Sequence, residues 1–363
     1  MKNTFGNNLT ITLFGESHGN SVGCVIDGIA PGIPVNEENI KAMLDLRRPN
    51  GNISTSRRES DEFVIQSGVF NGFTTGTPIC ITIPNKDLRS TDYQNIKTLA
   101  RPSHADYTAH VKYRGYEDFR GGGHFSGRIT AALVAAGGII IPALAKKGIT
   151  VGTHISRCAG VSDRGFENLE SDIKILSDLE FPVLVQDRAK EMQEAIVNAK
   201  NDGDSVGGIL ETAICGVEAG LGEPWFDTLE GMLSHALFSI PAVKGVEFGA
   251  GFSISEMSGS EANDAFFVNN GKVCTETNNS GGINGGITNG MPIVFRIAVR
   301  PTPTIAKEQN TINYVNLANA TLEAKGRHDP CIVHRARIVV DSVAALVIAD
   351  ALCGKHGTDW LAL

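Results

Sequence analysis

From Ile129 to Ala145 the chain carries no charged side chain and a single hydroxyl, that of Thr130. Such a run has to leave water, so the fold must be built around it. Gly137, Gly138 and Pro142 interrupt it, and it is shorter than the ~20 apolar residues a comfortable membrane span needs. The expectation is a buried helix over about 128–147, kinked or broken near Pro142 because proline has no N–H to donate. With 363 residues, 42% hydrophobic and 20% charged, the chain has enough apolar material to enclose it.

Other elements follow from patterning. Asn36-Glu37-Glu38-Asn39 has N-cap chemistry and opens a helix to about residue 47, stopped before Pro49. Further helices are predicted over about 186–201, 227–238 and 341–353, the last carrying Ala344, Leu346, Val347, Ala349 and Leu352. Strand-like runs occupy 9–14, 23–26, 79–83, 208–215, 292–299 and 336–340. Strands outnumber a strict alternation with helices, which favours an α+β class over a doubly wound sheet. No Ser/Pro-rich tract, charge run or short repeat marks a boundary, so one domain over 1–363 is expected.

The formal net charge of −8 argues against a nucleic-acid protein, whose phosphate contacts need a broad basic face. It leaves room for a small anionic ligand, which needs only a local group of arginines such as Arg47, Arg48, Arg57 and Arg58. The 7 cysteines form no C-x-x-C pair, the pattern of a reducing compartment. The segment Met1 to Gly6 lacks the apolar run of a signal peptide. A soluble, cytoplasmic protein with no membrane partner is expected.

Glycine is unusually frequent, with 41 residues clustered at 121–123, 249–251, 281–282 and 285–286. Apolar residues flank these clusters, so they read as tight turns or as places where backbone approaches a ligand. They lack the Gly-Lys-Ser/Thr ending of a P-loop, and Gly121-x-Gly123-x-x-Ser126 does not follow a convincing buried strand, so a nicotinamide-type Rossmann site is disfavoured. No metal motif and no nucleophile elbow occur. Three segments place histidines at turns: Gly15-Glu16-Ser17-His18-Gly19, Ser103-His104-Ala105-Asp106 and Gly326-Arg327-His328-Asp329-Pro330. Singly, each is accounted for as a hydrogen-bonded histidine at a strand end or turn. Together with the arginines they make the inventory of an acid/base site around an anion.

The same segments, read in order, resemble chorismate synthase. The resemblance rests on 15–19, Arg101 to Tyr107, Arg120-Gly121-Gly122-Gly123-His124-Phe125-Ser126-Gly127-Arg128, Gly220 to Pro224, Pro241 to Glu247, Gly281 to Gly286 and 326–331, nearly the whole chain. It implies a single domain built as a sandwich of antiparallel β-sheets flanked by α-helices. It implies conversion of 5-enolpyruvylshikimate 3-phosphate to chorismate by 1,4-anti elimination of phosphate, with reduced FMN required although the reaction is redox-neutral. His18, His104 and Asp329 would be catalytic, and Arg47, Arg48 and Arg327 would hold the substrate. FMN would be met by His124, Phe125, Ser126, Pro241, Ala242, Gly285, Arg300, Pro301, Thr302, Pro303, Thr304 and Arg327. A homotetramer is implied, with FMN near subunit contacts. Some relatives reduce their own flavin with NADPH; this chain shows no nicotinamide motif, so an external reductant is expected. Two positions depart from the family pattern: His124 stands where many members have arginine, and 50–53 lacks a basic residue many carry there. Two other readings stay open: a flavin-independent lyase, and a binding protein without chemistry.

Overall fold

In the computed structural model, residues 2–49, 51–55, 60–86, 97–177, 179–324 and 329–363 are described. The N-terminal strands β1 (Thr4–Phe5), β2 (Thr10–Gly15) and β3 (Ser21–Asp27) precede α1 (Glu37–Arg47), whose first turn is capped by the Asn36 side chain. They join β4 (Val64–Ser67) and β7 (Ile79–Pro84) in an antiparallel sheet of order β1-β2-β3-β7-β4; a small hairpin, β5 (Val69–Phe70) and β6 (Phe73–Thr74), precedes β7. Ile79, Ile81 and Ile83 alternate inward along β7, the period of a half-buried strand. The second sheet runs β11 (Val243–Phe248), β16 (Ile293–Val299), β10 (Gly208–Cys215), β8 (Thr150–Cys158), β9 (Val161–Ser162), again antiparallel. Three further hairpins are β12 (Phe266–Asn269) with β13 (Lys272–Thr275), β14 (Ile283–Asn284) with β15 (Ile287–Thr288), and β17 (Gln309–Asn313) with β18 (Ala318–Leu322).

The remaining helices are α2 (Asp106–Tyr113), α3 (Thr130–Lys146), α4 (Leu169–Ser177), α5 (Gln186–Asn201), α6 (Leu229–Leu237), α7 (Gly259–Ala262) and α8 (Val333–His356). Helices α3 and α8 pack on each other, α3 against β3 and β7, and α8 against β8 and β10, so one apolar core joins the two sheets. The stretch Gly127–Lys146 is long and apolar enough to cross a membrane, and 78% of it is buried inside this core.

Helix α3 is not broken at Pro142, contrary to one sequence expectation. Proline removes the N–H that would have bonded the carbonyl of Gly138 four residues back. Asn39 on α1 replaces it, donating from Nδ2 to Gly138 O at 3.0 Å. Gly138 lets α1 come that close, since a Cβ there would lie 2.8 Å from Ile40 Cγ1. Substituting Asn39 with alanine should leave that carbonyl unpaired and cost about 1–3 kcal/mol, measured by urea unfolding; wild-type stability in the variant would mean that water replaces the amide.

The run 336–340 is helical, not a strand: α8 begins at Val333, and Ile338, Val339 and Val340 are buried within it. β-branched residues are ambiguous by periodicity alone, and burial on every side removed the amphipathic signal. The strand β8, between β10 and β9 in the second sheet, and the helices α2 and α4 were not anticipated.

Candidate active site

The turn after β2 carries Ser17 and His18, both buried. Ser17 N–H donates to Gly123 O at 3.0 Å, stitching this turn to the glycine turn 121–123. Ser17 Oγ lies 3.2 and 3.1 Å from the carbonyls of Arg120 and Gly121, and 3.1 Å from His18 Nδ1. Carbonyls only accept, so the single hydroxyl proton goes to them, and Ser17 Oγ accepts from His18 Nδ1–H. The imidazole is thereby fixed with its proton on Nδ1. Only glycine fits beside it: Gly121 has φ +60, and a Cβ there would lie 2.2 Å from His18 Cε1.

His104 packs on the next residue of the same turn, 3.3 Å from where a Gly122 Cβ would stand. Its Nδ1 donates to Asp106 Oδ1 at 2.7 Å, and Arg101 grips the same carboxylate from Nη2 (2.7 Å), Nε (2.8 Å) and its backbone N–H (2.9 Å). Burial pushes the Asp106 carboxyl up, but the bonds from Arg101 and His104 outweigh it and hold the group far below the usual carboxylate range. His124 likewise donates from Nδ1, to Gly15 O at 2.7 Å. A cavity of about 330 Å³ opens here, lined among others by Arg101, His104, Gly122, His124, Phe125 and Tyr314.

The second half of the site is a buried chain of charges. Arg47 Nη2 meets Asp61 Oδ2 at 2.6 Å, and Arg128 Nη1 bonds the other oxygen of the same carboxylate. Burial pushes Asp61 up, and the two guanidinium groups more than reverse this. Arg128 Nε donates to Asn85 Oδ1 at 3.0 Å; Asn85 Nδ2 donates to the carbonyls of Glu16 and Gly19, both at 2.9 Å, which frame His18. Asp329 is half-buried and paired with Arg335. Its carboxyl is pushed up by burial, with Arg335 opposing.

A strap joins the halves. Arg300 Nη2 donates to Ser103 O at 2.7 Å, next to His104, while Thr302 Oγ1 donates to Asp329 O at 2.5 Å. Arg300 N–H also bonds Ala242 O at 3.0 Å, bringing Pro241-Ala242 beside the strap. Thus His18 and His104 share one glycine turn, and His104 and Asp329 share one strap. His18, Asp329 and Arg47 do not line the 330 Å³ cavity. Arg48 points away: its Nη1 pairs with Asp45 at the surface, 2.6 Å apart. Gly285 sits at the tip of the β14–β15 hairpin, and a Cβ there would meet nothing within 4 Å. Pro301, Pro303 and Thr304 belong to the strap by sequence, and Ser126 Oγ caps the turn leading into α3, accepting from Arg128 N–H at 3.2 Å. Arg327, His328, Arg57 and Arg58 lie outside the described residues.

Sequence reading missed Asp61, Asn85, Asp106, Lys200 and Arg335 as site residues. Asp106 had a signal, two residues after His104 in a turn; Arg101 and Arg128 sat at the ends of singled-out motifs. Lys200 on α5 donates to Asn52 O at 2.7 Å, setting a cation beside the loop that lacks its own. Among the described residues no group of His, Cys, Asp or Glu could hold a metal ion.

Histidines with fixed tautomers, ringed by buried arginines, define an enzyme that moves protons on an anionic substrate. The comparisons specify which. The family model described as chorismate synthase matches residues 9–353. A chorismate synthase of Thermococcus gammatolerans is 49% identical over 350 residues, covering 96% of each chain, and one of Korarchaeum cryptofilum 46% over 348, covering 95% of this chain and 96% of its own. A solved crystal structure of chorismate synthase aligns with TM-score 0.78 and 31% identity over 98% of this chain and 94% of its own. The chain belongs to the chorismate synthase family, lyases that convert 5-enolpyruvylshikimate 3-phosphate to chorismate and phosphate in the shikimate pathway.

Proposed function

We propose that this chain, as one catalytic domain, carries out that elimination with reduced FMN, His18, His104 and Asp329 managing protons and Arg47 and Arg327 gripping substrate anions. The observation that carries the assignment is the glycine turn shared by His18 and His104. Both rings have Nδ1–H committed to a fixed acceptor, and in His104 this leaves Nε2 as the nitrogen that acts. When doubly protonated, His104 protonates or hydrogen-bonds the departing phosphate from Nε2, the Asp106–Arg101 pair preventing the ring from turning. When doubly protonated, His18 would donate toward the flavin and favour its anionic reduced form. Asp329 would hold or relay a proton beside the flavin when it is bound.

The residues present fit FMN. Arg47 Nε and Arg300 Nε are buried donors without a hydrogen-bond partner, and Asp329 Oδ1 is a buried acceptor without one. Two unfilled cationic donors and one acceptor suit an anionic ring system that also carries an N–H. His124, Phe125, Ser126, Pro241, Ala242, Gly285, Arg300 to Thr304 and Arg327 are proposed to hold it. When bound, reduced FMN lends electron density to the allylic system as phosphate leaves and recovers it as the ring hydrogen is lost. The protein's share is orientation, water exclusion and stabilisation of the leaving phosphate.

A homotetramer is proposed, supported by exposed aromatics such as Trp225 (85%), Phe226 (97%) and Phe252 (82%). A cytoplasmic location fits the free cysteines, and an external reductant is assumed to supply reduced flavin.

The direct test is anaerobic chorismate formation by purified protein with chemically reduced FMN. Activity is expected only with the flavin; turnover without it would favour a flavin-independent lyase. Exchanging His104 for alanine should lower turnover ~100-fold or more while leaving folding and FMN binding nearly intact. Unchanged turnover would take His104 off the catalytic list, and a wild-type protein that binds but never turns over would leave only a binding role.

A further inference from the structure

We propose that Arg335 is a positioning residue for the reaction, holding the Asp329 carboxylate and the C-terminal end of α1 in one fixed arrangement. This rests on the role assigned to Asp329 above. Arg335 Nη2 bonds one Asp329 oxygen, and its Nη1 donates to Arg47 O at 3.4 Å. Thr302 Oγ1 pins the Asp329 backbone at the same time. One oxygen, Oδ1, stays buried without a hydrogen-bond partner, a fixed carboxylate edge left for a ligand or proton.

The guanidinium does more than neutralise a charge, because of what Arg47 holds in turn. From Arg335 the contacts run through Arg47 to Asp61, Arg128 and Asn85, and end on the carbonyls of Glu16 and Gly19 around His18. Arg335 therefore closes a continuous polar chain between the two ends of the site. A buried pair kept only for stability is replaceable by apolar side chains of similar volume. A bridge that sets two reacting groups in register is not, because a displacement of ~1 Å can cost ~100-fold in rate.

The groups facing Asp329 are Arg335 on α8, Lys200 on α5, the Cys331 thiol, and the backbone N–H groups of Thr55 and Cys331. Burial raises the Asp329 carboxyl and Arg335 is the strongest opposing influence, so its loss should raise it further.

Arg335→Gln and Arg335→Lys would be measured in two ways. In flavin-free protein, infrared titration follows the Asp329 carboxyl band, identified by its disappearance in Asp329→Asn. In anaerobic assays with reduced FMN, kcat and KM are followed across pH. For Arg335→Gln the expectation is a protonation midpoint raised by about one pH unit or more, kcat down ~10–100-fold with KM within ~3-fold, and the limb of the pH profile that needs ionised Asp329 moved upward. Lysine keeps the charge without the two-armed bridge, so it should restore the midpoint and recover kcat only in part. If the glutamine variant does not fold, the lysine variant decides: full wild-type kcat there overturns the bridge. Wild-type kcat and midpoint in Arg335→Gln beside an inactive Asp329→Asn overturn the positioning role alone. Full turnover in Asp329→Asn removes the role of Asp329 and this proposal with it.

Discussion

Replacing Asp61 with alanine is expected to destabilise the protein by about 3–5 kcal/mol, because it removes the carboxylate that the buried Arg47 guanidinium pairs with and that Arg128 also bonds. Arg47, Asp61 and Arg128 are each at most 7% exposed, so water cannot take over the lost interaction. The cost comes chiefly from the Arg47 cation losing its carboxylate, and asparagine should recover little of it: it keeps the shape and not the charge. Activity should fall with stability, since Arg47 is a proposed substrate grip and Arg128 leads through Asn85 to the turn of His18. The same reasoning predicts a rescue. Inorganic phosphate should raise the melting temperature of Asp61→Ala more than that of the wild type, because an anion can sit where the carboxylate was. Urea unfolding and thermal shifts with and without phosphate test both parts. A variant as stable as wild type would show that the arginines reach solvent or another acceptor when Asp61 is gone.

Acid should leave stability almost level down to about pH 4 and then collapse it, with two buried groups of opposite sign responsible. Burial pushes His334 down to about 3, so the folded protein refuses a proton that the unfolded chain binds below about 6.5. Alone, this group would remove stability as pH falls from ~6.5 to ~3, at about 1.4 kcal/mol per pH unit. Asp341 is fully buried and raised to about 6, against Arg337 and Thr153, which lower it. The folded state holds its proton between ~6 and ~3.8 while the unfolded chain does not, so it adds stability on acidification over that window. The two effects nearly cancel there, and the raised Asp329 acts with Asp341. Below ~3.8 only losses remain: His334 still resists its proton, and the lowered carboxyls of Asp61 and Asp106 must be protonated. Unfolding free energies against pH for His334→Gln and Asp341→Asn separate the two. The first variant should gain stability as pH falls from ~6 to ~4, and the second should lose it more steeply than wild type. Parallel curves for all three proteins would remove both groups from the account.

What could be read along the chain were features whose cause lies within a few residues. Asn36 caps α1 because its side chain reaches the N–H groups two and three positions on. Residues 208–215 and 186–201 were legible as strand and helix because patterning and flanking turns agreed. The motifs around His18, His104 and Asp329 are long, local and unusual, so family membership and the identity of the chemical groups were available without coordinates. Where neighbours in space overrule neighbours in sequence, reading failed. A kink or break was expected at Pro142, and an amide from another helix pairs the carbonyl that the proline leaves without its N–H. Residues 336–340 look like a strand, and full burial makes them helix.

The sequence alone thus determined which side chains are present, how the short turns bend and which residues must leave water, since these depend on covalent neighbours and apolar content. Tertiary structure decided which nitrogen of each histidine carries the proton, which of two adjacent arginines is buried, and that Asp61, Asn85 and Arg335 link Asp329 to the His18 turn. The links through Asp61, Asn85 and Arg335 depend on partners tens to hundreds of residues away, whose approach is set by the packing of α1, α3 and α8 between two sheets.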